Sequence, residues 1–410
     1  MAVTIPEFID KRFLTRCLQG EFGYSTVVTN FKAERLISED LDFTSCLVRV
    51  KCEYKRNQNE DVESTSLIVK APLQGSYTEM LEKEGCKEQY FYYNIVPKLS
   101  TLHSLDFPRT FECGSKSVIV MEDLNSSGFK VPKSMALLDF EHCKLYIQSV
   151  AKLQATSIVL NEREPKYFEN FKASSNKLTN EDVLLKQRIS TMATIGAKSL
   201  ADLVRGLHKH EEIGLVKILD KVSNIIWDLV MSSEDSNDSL KCLIQYDIWP
   251  TNLMFKYDEL GNVKSVKILD FQMYSFSPAV IDIIAFIWRS ANYDVRESRL
   301  EELFHIYVDT LNDILSDLGS STTLTFSQLK KQLEIFSPWA LFVVCFFLPY
   351  GQVKQHLPLG TLFEFCDKEP QKYYDILIQA YKKSSPYFET VLLHLEAQGV
   401  FESISKLYIK

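Results

Sequence analysis

The most constraining stretch of this chain is residues 243–272, LIQYDIWPTNLMFKYDELGNVKSVKILDFQ. An apolar strand runs into Asp247, and Asn252 follows five residues later. Residues 253–256 read as a short strand, Asp258 to Asn262 with Gly261 as a turn, and residues 263–269 as a returning strand that ends in Asp270-Phe271-Gln272. Such a hairpin brings Asn252, at the start of one strand, beside Asp270, at the end of the other.

This arrangement suits phosphoryl transfer. ATP carries its phosphates with Mg²⁺, a hard ion that takes oxygen ligands at fixed positions. The carboxylate of Asp270 and the amide oxygen of Asn252 are therefore expected as metal ligands. Asp247, held near but off the metal, is expected to accept the proton of an attacking hydroxyl. The same D-x-x-x-x-N spacing with a downstream Asp-Phe pair marks the catalytic machinery of protein kinases. The spacing alone is weak, and two turn residues capping a strand and a helix would also produce it. Two upstream residues strengthen the reading. Lys70 closes the strand SLIVK (66–70), where its ammonium is placed to reach the α and β phosphates. Glu88 lies in the following helix at a spacing that lets it pair with Lys70. Taken singly they would read as a strand-end lysine and a solvated helix glutamate.

Around this centre the chain predicts an α+β fold. Residues 45–54 and 65–71 alternate as strands, separated by a polar hairpin loop. A helical pattern runs from Tyr77 to Val96 and is expected to end at Pro97. Two further strands are predicted near 107–113 and 117–122, about a turn at Gly114 to Lys116. Beyond Leu124 helical periodicity dominates, at 139–160, 180–232, 297–318, 326–348 and 369–400, with the hairpin set among these helices. The expected organisation is a small β-rich N-lobe, residues 1–122, and a larger helical C-lobe, residues 123–410. No internal repeat is visible.

Composition narrows the functions. The net charge is −8, with no basic footprint of the kind nucleic-acid binding requires. Nine Cys occur at wide spacing without C-x-x-C, which argues against a zinc site or a disulfide scaffold and for a reducing compartment, the cytoplasm. Residues 1–20 do not read as a signal peptide. The longest apolar run, Trp339 to Leu348, is too short to span a bilayer and is expected as a buried helix. His208 and His210 read as surface residues. Gly20 and Gly23 do not make a phosphate loop.

With these residues in place, the chain resembles the CHK-kinase-like, or ecdysteroid kinase-like, family, whose relatives are choline kinases and aminoglycoside phosphotransferases. The resemblance runs from about residue 35 to 350. It rests on SLIVKAP (66–72), the Glu88, Phe91, Tyr92, Pro97 pattern, VIVMEDL (118–124), AKLQATS (151–157), DIWPTNLMF (247–255), ILDFQ (268–272) and SPAVIDIIAF (277–286). It implies a two-lobed protein-kinase-like fold and transfer of the ATP γ-phosphoryl group to a hydroxyl of a small molecule, ecdysteroids being the best-known acceptors. It implies that Lys70 contacts ATP phosphates, that Glu88 orients it, and that Met121, Glu122 and Leu124 belong to the hinge that holds adenine. Asp247 is then the base, Asn252 and Asp270 the Mg²⁺ ligands, and Asp282 an aspartate that braces the catalytic loop; a helix-cap role for Asp282 is the alternative.

Three positions depart from the family pattern. Gln245-Tyr246 precede Asp247 where His-Gly is usual, Asp40 stands where the phosphate-covering turn has Gly, and Gln154 replaces a His. They keep a second reading open, a catalytically impaired pseudokinase that binds nucleotide or a small molecule. A protein kinase fits less well, because residues 271–277 lead directly to a helix with no long activation segment and no A-P-E. A hydroxylated small molecule is the expected partner; no protein partner is implied.

Overall fold

The computed structural model describes residues 5–36, 45–72, 86–132, 137–169, 180–206, 215–234, 236, 239–353, 357 and 359–409. The chain divides into two compact units, Met1–Met135 with Thr251–Tyr274, and Ala136–Pro250 with Ser275–Lys410. The hairpin therefore groups with the first unit, whereas the sequence reading set it among the helices of the second. Its hydrogen bonds give the reason. Ile268 N–H donates to Asp106 C=O at 2.9 Å, Lys267 Nζ donates to Phe107 C=O at 2.7 Å, and Phe129 pairs with Lys256.

In the first unit the strands are β1 (Val27–Arg35), β2 (Ser45–Lys55), β3 (Glu63–Pro72), β4 (Thr110–Phe111), β5 (Ile119–Glu122), β6 (Phe129–Lys130), and the hairpin strands β8 (Leu253–Tyr257) and β9 (Val263–Ile268); β7 (Lys241–Ile244) belongs to the second unit. Among the described residues, β1-β2-β3-β5-β4 form an antiparallel sheet and β6-β8-β9 a smaller one. Alternation sets the core. Val48 and Val50 on β2, and Leu67 and Val69 on β3, are fully buried, as period-2 strands with one covered face require.

The helix Lys11–Phe22 covers that face and has no counterpart in the sequence reading. Its start is marked by Asp10, whose Oδ1 accepts the Phe13 N–H at 2.7 Å, and its end by Gly23 at φ 99°. Leu14 and Leu18, both fully buried, join the strand valines in one core, each worth roughly 1.5–3 kcal/mol in burial.

The predicted helix at 77–96 is seen from residue 86; residues 77–85 lie outside the described ones. It does not stop at Pro97. A π turn, Phe91–Ile95, is followed by α-helix Val96–Ser100. Val96 N–H bonds Phe91 C=O, five residues back, so the hydrogen-bond ladder is already widened where Pro97 lacks a donor.

In the second unit Phe140–Arg163 is a helix whose N-cap is Asp139. Strand β7 (Lys241–Ile244) pairs antiparallel with β10 (Ser275–Pro278), Cys242 opposite Ser277. Residues 275–278 lie outside the strands expected from the sequence pattern. A helix, Val280–Ser290, follows with every residue buried. The long periodic runs beyond 326 are divided among several helices. Pro370 and Pro386 stand in the first turns of Pro370–Lys383 and Ser385–Ala397, and Gly399 at φ 69° precedes Val400–Tyr408. Residues 339–346 are buried, as expected, but a π turn at Val343–Phe347 interrupts the helix. Among the described residues no single helix is long and apolar enough to cross a membrane; Phe326–Ile335 and Ser337–Gly351 pass that test only as a pair, bent by 56°.

Candidate active site

The first unit assembles Lys70, Glu88, Asp270 and Asn252. Strand β3 places Lys70 between Leu47 and Ile119, in the middle of the sheet. Its Nζ lies 2.7 Å from Glu88 Oε2 and 2.9 Å from Asp270 Oδ1. Glu88 is only 2% exposed. Burial pushes its carboxyl up to about 7, against the pull of the Lys70 ammonium. Burial also weighs against the charge on Lys70, but Asp270 and Glu88 together more than offset it and hold the ammonium above the ordinary lysine range. The cation is thus fixed by two acids that approach from separate elements.

Hairpin register places the other two residues. Leu253 pairs with Ile268, and Leu269 N–H donates to Asn252 C=O at 2.9 Å. Asn252 therefore faces the residue immediately before Asp270. Asp270 takes φ 65°, in the left-handed region, and Phe271 turns into the core. There its ring stacks on Phe91 at 4.0 Å and meets Phe107 edge-on at 5.0 Å. The π turn that carries Phe91 and the hairpin end that carries Asp270 are thus locked together.

Met121 and Glu122 end β5, with Met121 opposite Ile68 and Glu122 opposite Leu67. Glu122 is held to Arg109, its N–H donating to the Arg109 carbonyl and its Oε1 accepting the Arg109 N–H, both at 2.9 Å. Leu124 is buried with Phe129 and Met254, and its carbonyl accepts the N–H groups of Ser127 and Phe129. Between them Asp123, which the sequence reading did not single out, accepts from Arg49 Nε at 2.7 Å and from Ser66 Oγ at 2.8 Å. A partner 74 residues away leaves no local sequence signal. Asp40 and its neighbours lie outside the described residues, as do His208 and His210.

The second unit holds Asp247. Strand β7 delivers the chain to it, and the loop before it is tied to the Val280–Ser290 helix. Asp282, fully buried, accepts Gln245 N–H at 2.9 Å on one carboxylate oxygen and Tyr246 N–H at 3.0 Å on the other. This is a brace on the loop rather than a helix cap. Burial pushes the Asp282 carboxyl up to about 7, while those two N–H groups and Arg289 pull the other way. Tyr246 adopts φ 68°, a conformation L side chains rarely take, and its hydroxyl donates to Ser277 Oγ at 3.3 Å. Gln154, in place of the family's His, is satisfied inside the core. It donates to Ala279 C=O at 3.2 Å and accepts from Tyr307 Oη at 2.6 Å.

Asp247 Oδ1 accepts the indole N–H of Trp249 at 2.7 Å, and Arg289 Nη1 lies 3.5 Å from the same oxygen. Neither residue is a fixed position of the D-x-x-x-x-N or Asp-Phe pattern. Trp249 stands inside DIWPTN, and Arg289 stands seven residues after Asp282, a spacing that puts both on one helix face. Trp249 packs so closely on Gly351 that a Cβ there would lie 2.8 Å from its ring.

A β-rich unit whose sheet carries a lysine held by a helix glutamate and an Asp-Phe hairpin, joined in one chain to a larger helical part, defines an α+β kinase-like fold. The sequence model of the ecdysteroid kinase-like family matches residues 41–320, and the chain belongs to that family. Kinase-like phosphotransferase activity, in the broad sense, accompanies that membership. No curated protein matches the chain.

Proposed function

We propose that this protein transfers the γ-phosphoryl group of ATP to a hydroxyl of a lipophilic small molecule, with ecdysteroids the leading acceptor class. The observation that carries the proposal is the Lys70 ammonium held 2.7 Å from Glu88 and 2.9 Å from Asp270. A lysine so fixed is charged, as contact with ATP phosphates requires. The donors at the hairpin ends suit Mg²⁺: the Asn252 amide and the Asp270 carboxylate both offer hard oxygens. When bound, the ion neutralises charge on the phosphates. Asp247 accepts the acceptor's proton, and residues 121–124 serve as the adenine-contacting hinge. Half-buried aromatic residues in the second unit, Trp249, Phe347 and Tyr350, favour an apolar acceptor. Nine free thiols suit a reducing compartment, the cytoplasm.

The test is turnover of Mg²⁺-ATP with a panel of ecdysteroids and other hydroxylated lipophiles, with the phosphorylated product identified by mass spectrometry. Asp247→Asn is expected to cost about 10³-fold or more in kcat while ATP binding persists. No product from any acceptor would count against the proposal. A second reading, a nucleotide-binding protein of impaired turnover, is favoured by Tyr246, a bulky residue held at φ 68° directly before the proposed base. Mg²⁺-ATP binding without turnover would select it.

A further inference from the structure

One helix face grips the peptide that precedes Asp247. Asp282 takes the N–H groups of Gln245 and Tyr246. Two turns further along, Arg289 Nη1 donates to the Tyr246 carbonyl at 3.1 Å and lies 3.5 Å from Asp247 Oδ1. Both polar groups of the strained Tyr246 backbone are therefore held by side chains of a single helix, one an acid and the other a base.

Arg289 is an expensive residue to place here. Its side chain is fully buried, and its Nε and Nη2 find no hydrogen-bond partner among the described residues. The guanidinium lies 3.5 Å from the Phe347 ring centroid and 5.2 Å from that of Trp249, so aromatic faces fix it where hydrogen bonds do not. Trp249 in turn donates to the same Asp247 oxygen as Arg289 faces. A position serving only the core would be filled by an apolar side chain, as Ile283, Ile284, Phe286 and Ile287 fill theirs.

We propose that Arg289 is a positioning residue that fixes both the backbone and the carboxylate orientation of Asp247, a role that rests on the phosphotransferase reading of that aspartate. It turns Oδ1 toward Trp249 and the helix, so that the carboxylate is pre-set for its proton transfer instead of being ordered at the moment of reaction. Arg289 itself touches neither nucleotide nor acceptor.

The experiment compares R289M and R289K with wild type in the full chain, using Mg²⁺-ATP and the acceptor of highest turnover from the panel. R289M is expected to lower kcat by about 10²-fold, the scale of a small misplacement of a reacting group, with the KM for ATP and for acceptor within about threefold of wild type. R289K keeps the charge without the planar fork and is expected to recover about tenfold of that loss. Amide exchange at 245–249 should quicken in R289M while exchange across 253–268 stays unchanged. If R289M does not fold, R289K alone carries the test: an intermediate kcat at wild-type KM supports the clamp, and wild-type kcat overturns it. A raised acceptor KM at unchanged kcat would assign Arg289 to acceptor contact and overturn the proposal, as would unchanged exchange at 245–249. If wild type phosphorylates nothing, the phosphotransferase reading fails, and the exchange measurement still decides whether Arg289 clamps the loop.

Discussion

Asp282→Asn should loosen the loop before Asp247 and lower stability together. In the native chain the two Asp282 oxygens accept one backbone N–H each, at 2.9 and 3.0 Å, in a fully buried setting. Hydrogen bonds to a charged group are worth about 1.5–3 kcal/mol apiece. Asparagine keeps one acceptor, at about 1 kcal/mol for a neutral bond, and turns an NH₂ toward the second N–H, which is then buried without a partner at a cost of about 1–3 kcal/mol. Relief of the burial that pushes the Asp282 carboxyl up to about 7 offsets part of this. The net expectation is about 2 kcal/mol of destabilisation. Tyr246, at φ 68°, then has its N–H unheld and about 1–2 kcal/mol of backbone strain free to relax. Urea unfolding measures the stability, and amide exchange at Gln245 and Tyr246 reports the loop. An unfolding free energy within about 0.5 kcal/mol of wild type, with both amides still protected, would refute the brace.

Lys70→Met removes the cation between Glu88 and Asp270. Mg²⁺-ATP at about 100 times its Kd should stabilise wild type by about 2.7 kcal/mol, and that gain should vanish in the variant; equal thermal shifts in both proteins would count against phosphate contact by Lys70. Trp249→Phe keeps the ring on Gly351 but deletes the N–H bond to Asp247, so kcat should fall about tenfold with little change in melting temperature. Gly196→Ala drives a Cβ to 1.9 Å from the Cys345 carbonyl, a backbone atom in a π turn that has little room to yield. Its cost should be about 2–3 kcal/mol in chemical denaturation, and a neutral result would mean the two segments separate easily.

Much of the candidate site could be read from residue order. Asn252 and Asp270 flank one short strand-turn-strand unit, whose register sets Asn252 opposite the residue before Asp270. Lys70 and Glu88 were expected to pair because a strand end and the next helix face each other, and the structure places them 2.7 Å apart. Leu14, Cys17 and Leu18 were not read as a helix face, although Asp10 and Gly23 bracket them, because caps carry meaning only once a helix is suspected. Pro97 was read as a stop because sequence periodicity does not reveal a π turn.

What the sequence determined by itself, then, is the set of chemical groups and their local partners: a lysine, a glutamate, two aspartates and an asparagine on elements whose periods are visible. Tertiary structure decided how those groups are held. The Arg289–Asp247 contact spans 42 residues, the Gln245–Asp282 bond 37, and Lys70 meets Asp270 across 200. Neither hydrophobic period nor motif spacing encodes such distances, because contacts of that range arise only when separate elements pack. The left-handed Tyr246 belongs to the same class. Local preference disfavours it, and a buried carboxylate and guanidinium on another helix hold it in place.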